Sequence, residues 1–252
     1  MARRMVLGLA AAVVLLAACG SGGSMRSTST SAPATTSPPP TVPTTEPPPR
    51  SVVATATVPS VNVYDNPGQP EPVRALEHPV KPQGTPLVFL VVEEHPEWLK
   101  VELPVRPNGS TGWIRSSDVT LAPHDFQIVV ELGAHRLTVW KGNDVFAEEP
   151  IAVGREQTPT PGGHFYTFQL LKPVEERDRR AFGDYVYALS GFSEVQELSN
   201  FMGGEGRLAI HGTMDPASVG QDVSFGCIRM TNEAITRLTT ALPLGVPVEI
   251  RP

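Results

Sequence analysis

The sequence predicts a mainly β protein, with two small β-rich blocks behind an export leader and a tether. Three observations carry this. Apolar runs of strand length, broken by Gly, Pro and Asn-Gly signals, recur up to the C-terminus. Apolar side chains at helical spacing stand out in one late segment, TNEAITRLTTAL. The residues before 59 carry little beyond one short apolar run. About 190 residues remain for folded structure, enough for one full domain or two small ones.

The leader is read over 1–18. Arg3 and Arg4 precede MVLGLAAAVVLLAAC, a basic start followed by an apolar run too short to span a bilayer comfortably. It ends LAAC, small residues before Cys19, which resembles a bacterial lipoprotein cleavage box. That resemblance implies that Cys19 carries lipid and begins the mature chain. Residues 19–58 are then a tether, densest in SPPPTVPTTEPPPR, with too little apolar surface to offset the entropy of ordering. Its prolines favour extended polyproline II at roughly 3.1 Å per residue.

The first folded block is assigned to 59–122, with strand pattern already present from about Val52 in SVVATATVPSVNVYDNPG. Asn66-Pro67-Gly68 breaks it, TPLVFLVVEE and EWLKVELPV follow as strands, and Asn108-Gly109 turns a hairpin into GWIRSSDV. Trp98, Val101 and Leu103 are candidate inward residues, and Trp98 and Trp113 read as core or rim aromatics. Several short strands without a helix suit a small barrel or sandwich. GWIRSSDV and the strand rhythm resemble bacterial SH3-like domains.

The second block covers 123–252. DFQIVVEL, HRLTVWKG, NDVFAEEPIAVG, HFYTFQLL, YVYALSGF, RLAIHG and GVPVEIR read as strands, and the late helix has Ala234, Ile235, Leu238 and Leu242 on one face, capped by Thr231 or Asn232. Trp140 reads as packing, and Met202, Gly203 and Gly204 as loop.

The net charge of −6, without a basic cluster, argues against nucleic acid or an anionic membrane surface as partner. Six histidines without ligand spacing give no reason to expect a metal. The chain has two cysteines. If Cys19 is lipidated, Cys227 is left as a lone thiol, and an odd cysteine in an exported chain is an intermolecular link or a reactive group. A thiol needs a base or an electropositive setting to attack as thiolate. His211, at the end of the strand in AIHGT, is the nearest histidine to SFGCIRM. A buried structural cysteine and a separately satisfied histidine fit the spacing as well.

AIHGT, SFGCIRM, the loop TPTPGG at 158–163 and the order of strands together resemble the L,D-transpeptidases of the YkuD type, over roughly 124–251. The resemblance implies an L,D-transpeptidase-type β-rich domain with a short helix after the catalytic cysteine. It also implies Cys227 as nucleophile, His211 as general base, and Gly212 as a candidate to orient the histidine through a backbone carbonyl. Ser224 is the hydroxyl of the cysteine phrase, the Gly226 and Cys227 amides are oxyanion donors, and Arg229 contacts an anionic part of the substrate. Phe225 stands where the family phrase has histidine. It is a candidate wall of the cleft, with Tyr166, Tyr185 and the neighbouring His164 and Tyr187.

The implied reaction is acyl transfer between peptide stems of peptidoglycan through a Cys thioester, forming 3→3 cross-links on the outer face of a bacterial membrane. It needs no metal or organic cofactor, and carbapenem β-lactams are expected to acylate the cysteine. Two alternatives are an L,D-carboxypeptidase, in which water replaces the amine, and a wall-binding lipoprotein that has lost the chemistry.

Overall fold

The computed structural model describes residues 50–193 and 206–252. The leader, Cys19 and most of the tether lie outside the described residues, as do Met202, Gly203 and Gly204.

Seven strands come first: β1 Ser51–Ala56, β2 Ser60–Val63, β3 Arg74–Glu77, β4 Val88–Glu94, β5 Trp98–Glu102, β6 Thr111–Arg115 and β7 Val119–His124. Five form a sheet in the order β6-β5-β4-β1-β7, and β2 and β3 make a separate hairpin. A Tyr64–Trp113 bridge ties that hairpin to β6. Trp98, Val101 and Leu103 are buried as expected, Val101 and Leu103 alternating with Leu99 in the core and Trp98 on the other side of the strand. Gly109 takes a φ of 76° in the Asn-Gly turn, a backbone that favours glycine.

The folded part begins earlier than 59. β1 falls in the stretch assigned to the tether, yet it sits between β4 and β7 with Val53, Ala54 and Ala56 buried. Its alanines and threonines match tether composition, and their burial depends on strands far along the chain. Likewise β7 runs through the expected 122/123 boundary and ends directly before the next strand.

The remainder comprises β8 Phe126–Glu131, β9 Arg136–Lys141, β10 Asp144–Pro150, β11 Val153–Gly154, β12 Gly163–Leu171, α1 Glu176–Phe182, β13 Val186–Phe192, β14 Arg207–His211, β15 Asp222–Ser224, β16 Ile228–Arg229, α2 Asn232–Thr239 and β17 Pro247–Arg251. Eight strands form one sheet, ordered β10-β9-β8-β17-β12-β13-β14-β16, while β11 and β15 pair with each other. The last strand enters the middle, parallel to β8 and antiparallel to β12.

One face of this large sheet carries a core of Ile128, Val139, Tyr187, Ile210 and Ile228 covered by Ala234, Ile235 and Leu238 of α2. The Thr231 hydroxyl accepts the Ala234 N–H and caps that helix. Helix α1 was not anticipated. It buries no side chain, so it shows no apolar periodicity. An Arg180–Glu176 ion pair and a Gly183 end with φ 68° accompany it.

The opposite face is shared. Tyr166 and Phe168 of β12 join the core of the small sheet, with Val88 and Phe89. Further along, Leu171, Val186, Ala209 and Cys227 form a smaller cluster. Reciprocal hydrogen bonds couple the two sheets. Asn108 exchanges two with the Phe192 backbone, and Gln83 two with the Lys172 backbone. The expectation that Tyr166 lines a cleft is corrected here. It is fully buried, and its hydroxyl lies 3.2 Å from Val88 O and 3.3 Å from Glu102 O in the small sheet. Tyr166→Phe leaves those buried carbonyls short of a donor and should cost about 1–3 kcal/mol by urea unfolding. An unchanged midpoint would show that the hydroxyl contributes nothing at this junction.

Candidate active site

Strand β14 builds the site. Its register sets His211 opposite Val186 on β13 and beside Arg229 on β16, and Ile210 beside Ile228. Side chains alternate along a strand, so Ile210 and Ile228 enter the helix-covered core. Ala209, His211, Cys227 and Arg229 then share the opposite face. Cys227 packs on Ala209, two residues from His211 on the same strand. The structure therefore brings the two expected chemical residues to one face and one end of the sheet.

Backbone hydrogen bonds with Gly212 and Phe182 hold the histidine ring. Its Nδ1 lies 2.6 Å from Gly212 O. A carbonyl only accepts, so Nδ1 bears the proton, and the neutral ring presents Nε2 as its lone-pair nitrogen. Phe182 packs edge-on against the ring at 5.3 Å. Gly212 itself cannot be larger, because a Cβ there would stand 2.1 Å from Asn232 Oδ1. That Asn232 oxygen accepts the Asp184 N–H at 3.0 Å, locking the start of α2 to the start of β13.

The cysteine sits in a tight turn. Ser224 Oγ donates to Cys227 O at 2.5 Å and accepts the Gly226 N–H at 3.1 Å. Ser224 thus braces the turn. It also occupies the Gly226 amide, which corrects the expectation that this N–H faces an oxyanion. Gly226 has a φ of 106°, so a side chain there would strain the turn.

Burial dominates the electrostatics. Desolvation holds the His211 imidazole down to about 4, against the Gly212 hydrogen bond, and the Arg229 charge lowers it further. Desolvation pushes the Cys227 thiol up to about 11, opposed by a hydrogen bond with the Ala209 backbone and by Arg229. The resting pair is neutral imidazole and thiol. Arg229 is the nearby cation acting on both, and its Nε is buried with no hydrogen-bond partner.

Phe225 is 40% exposed beside the thiol turn, with the Arg155 guanidinium 4.2 Å from its ring centre. Arg155 and Thr158 were not anticipated as site residues. The Arg155 backbone N–H and the Thr158 hydroxyl both donate to Ser224 O, at 3.2 and 2.9 Å. The Thr-Pro-Thr-Pro run was the available signal, since such a loop must fold against something. Tyr185 lies apart from the thiol. Its carbonyl accepts the Gly212 N–H at 3.2 Å, while its ring borders a surface hollow with Lys172, Val174 and Arg179. Tyr187 is buried in the core and His164 lies on β12 in register with Glu249. Among the described residues no cluster of His, Cys, Asp and Glu is arranged to hold a metal.

The sheet thus sets Cys227 and a carbonyl-held histidine on one face, an arrangement that suits a thiol and its base. Residues 125–250 match the family model described as the L,D-transpeptidase catalytic domain, YkuD. The chain belongs to this family. It is 36% identical over 125 residues to the candidate L,D-transpeptidase YkuD of Bacillus subtilis, covering 50% of this chain and 65% of that protein. It is 31% identical over 134 residues to the candidate L,D-transpeptidase YqjB of the same organism, covering 51% and 72%. The match thus spans about two thirds of the length of these curated relatives. Among solved structures, an L,D-transpeptidase from Mycobacterium tuberculosis H37Rv superposes with a TM-score of 0.43 at 16% identity, over 78% of this chain and 80% of that one.

Proposed function

We propose that this protein is a cell-wall L,D-transpeptidase that joins peptidoglycan stems through a Cys227 thioester. The observation that carries the reading is the His211–Gly212 contact. It leaves Nε2 unprotonated on the face that bears the thiol. As the thiol meets the carbonyl of the third residue of a tetrapeptide stem, its proton passes to Nε2, and sulfur bonds to carbon. The carbonyl π pair moves to oxygen. With the Gly226 amide engaged by Ser224, the Cys227 N–H is the amide assigned to stabilise the oxyanion. Collapse expels D-alanine, whose amine takes the proton from the imidazolium. The side-chain amine of a second stem then attacks the thioester, its proton passing to His211, and the thiol is regenerated with a 3→3 cross-link. Arg229 holds positive charge beside the reacting atoms and suits a carboxylate of the stem.

The same proposal includes an N-terminal lipid on Cys19, a proline-rich tether, and an SH3-like role for the small sheet. The LAAC box supports the first, composition the second, and the compact antiparallel strands the third. Together they support a position for the enzyme on the outer side of the cytoplasmic membrane.

The test is intact mass after exposure to a carbapenem, with Cys227→Ala alongside. One adduct on the parent and none on the variant is expected, followed by tetrapeptide dimerisation by the parent alone. A folded parent that takes no adduct and forms no dimer overturns the reading.

A further inference from the structure

Two arginines stand at opposite ends of the turn that holds Cys227. Residues 152–155 run alongside that turn. Ala152 exchanges two backbone hydrogen bonds with Arg229, at 2.8 and 2.9 Å, and the Arg155 backbone N–H donates to Ser224 O at 3.2 Å. Arg229 marks the end beside His211, its register partner on β14. Arg155 marks the other end, tied to the residue three positions before the cysteine. Its place is fixed by the loop that follows. The Gly154 N–H donates to Thr160 Oγ1 at 2.8 Å, and a side chain at Gly154 would strike the Thr158 and Thr160 backbone. The Thr158 hydroxyl then closes the loop on Ser224 O.

The Arg155 guanidinium is held by a ring and not by a carboxylate. Its Cζ lies 4.2 Å from the centre of Phe225. Arg136, Arg179, Arg180, Arg237 and Arg251 each face a carboxylate. Among the described residues Arg155 faces none. Its Nε is buried, so what a ligand meets on this half-buried side chain is the terminal nitrogens. An aromatic face supports a guanidinium without using its N–H donors. These stay in the guanidinium plane, where a carboxylate can take two at once. Phe225 is left partly exposed beside the thiol turn, and ring and cation together form one surface there.

The departing D-alanine takes its proton from His211, so the leaving half of the stem lies toward the Arg229 end of the turn. The acyl half then extends toward Arg155. We infer that Arg155, seated on Phe225, binds a carboxylate of the acyl half of the donor stem, one that stays in the thioester after D-alanine has left. Two residue lengths separate Phe225 from Cys227, about 7 Å at about 3.3–3.6 Å each. A carboxylate on the second residue, or at the end of the third side chain, stands at a similar remove from the reacting carbonyl. The inference rests on the transpeptidase reading for the direction of the stem.

The experiment measures kcat/KM on the full-length chain for a tetrapeptide donor with diaminopimelate at position three and its carboxylates free. The same peptide is then amidated at the second residue, at the third side chain, or at the C-terminus. One of the two acyl-half amides should be about tenfold poorer, near the lower end of what one charge-assisted hydrogen bond contributes. In Arg155→Met that gap should close, the loss falling on the free-carboxylate donor, and Arg155→Lys should keep part of it. General damage to the turn would lower every donor together and leave the gap open. No gap for either acyl-half amide in the parent, or a gap that survives Arg155→Met, overturns the inference. So does an Arg155 dependence confined to the C-terminal amide, which belongs to the leaving half. If no donor turns over in the parent, the transpeptidase reading fails separately, and calorimetry on Cys227→Ala decides. The free-carboxylate peptide binding about tenfold more tightly than an acyl-half amide, with the difference gone once Arg155→Met is added, supports the site. Equal binding, or none, removes it.

Discussion

His211→Gln should lower the second-order rate of carbapenem acylation by about a thousandfold, within the range expected for loss of a general base. Glutamine is neutral and polar but has no basic ring nitrogen, so what disappears is the lone pair at Nε2 that takes the thiol proton. In the parent the rate should change less than about threefold between pH 5.5 and 9. The reason lies in the two shifted groups. With the imidazole titrating at about 4 and the thiol at about 11, the neutral pair is the dominant form throughout that window. A thiol acting alone with an ordinary pKa of about 8.5 gives about a tenfold rise per pH unit below 8. A profile of that shape in the parent, or a His211→Gln variant within tenfold of it, would falsify the general-base role.

The legible parts of this site were the ones written in local phrases. Cys227, His211 and Gly212 stand in two short motifs, and the strand that carries His211 is an apolar alternating run. The Gly212 carbonyl could be named as a candidate from the motif, but which atom and how close required the backbone. Other features depend on contacts remote in sequence. Tyr166 reads as any strand aromatic, and nothing local shows that its hydroxyl ends on Val88 O and Glu102 O, on the other sheet. The strand pattern of β1 is visible from about Val52, but a domain start at 59 leaves it in the tether, whose alanine and threonine it shares, and its burial is conferred by β4 and β7. Gly226 was expected to donate to an oxyanion, since motifs show residue types and not which hydrogen bonds are already taken. Arg155 against Phe225 is the converse case. The departure at 225 was visible in sequence, and its consequence, a ring face that receives a guanidinium, was visible only in three dimensions.

The same histidine makes stability depend on acid. Its folded pKa of about 4 lies below the ordinary 6.5, because the buried ring resists charge. Between those values the unfolded chain binds a proton that the folded chain refuses. The contribution of His211 is therefore complete above pH 6.5 and is lost as pH falls toward 4. The full loss is about 3 kcal/mol at about 1.4 kcal/mol per unit, and about 2 kcal/mol is gone by pH 5. For a domain stable by about 5–15 kcal/mol this is a large share. His124, also lowered by desolvation, titrates in the same direction, so the parent curve alone is not diagnostic. The difference between parent and His211→Gln isolates one group. Urea unfolding at pH 7.5 and pH 5 should show the parent losing about 2 kcal/mol more than the variant. Parallel losses would mean that the imidazole accepts its proton in the folded state near its ordinary pKa. The flat acylation profile would then fail at its acid end as well, because both expectations depend on the same desolvated ring.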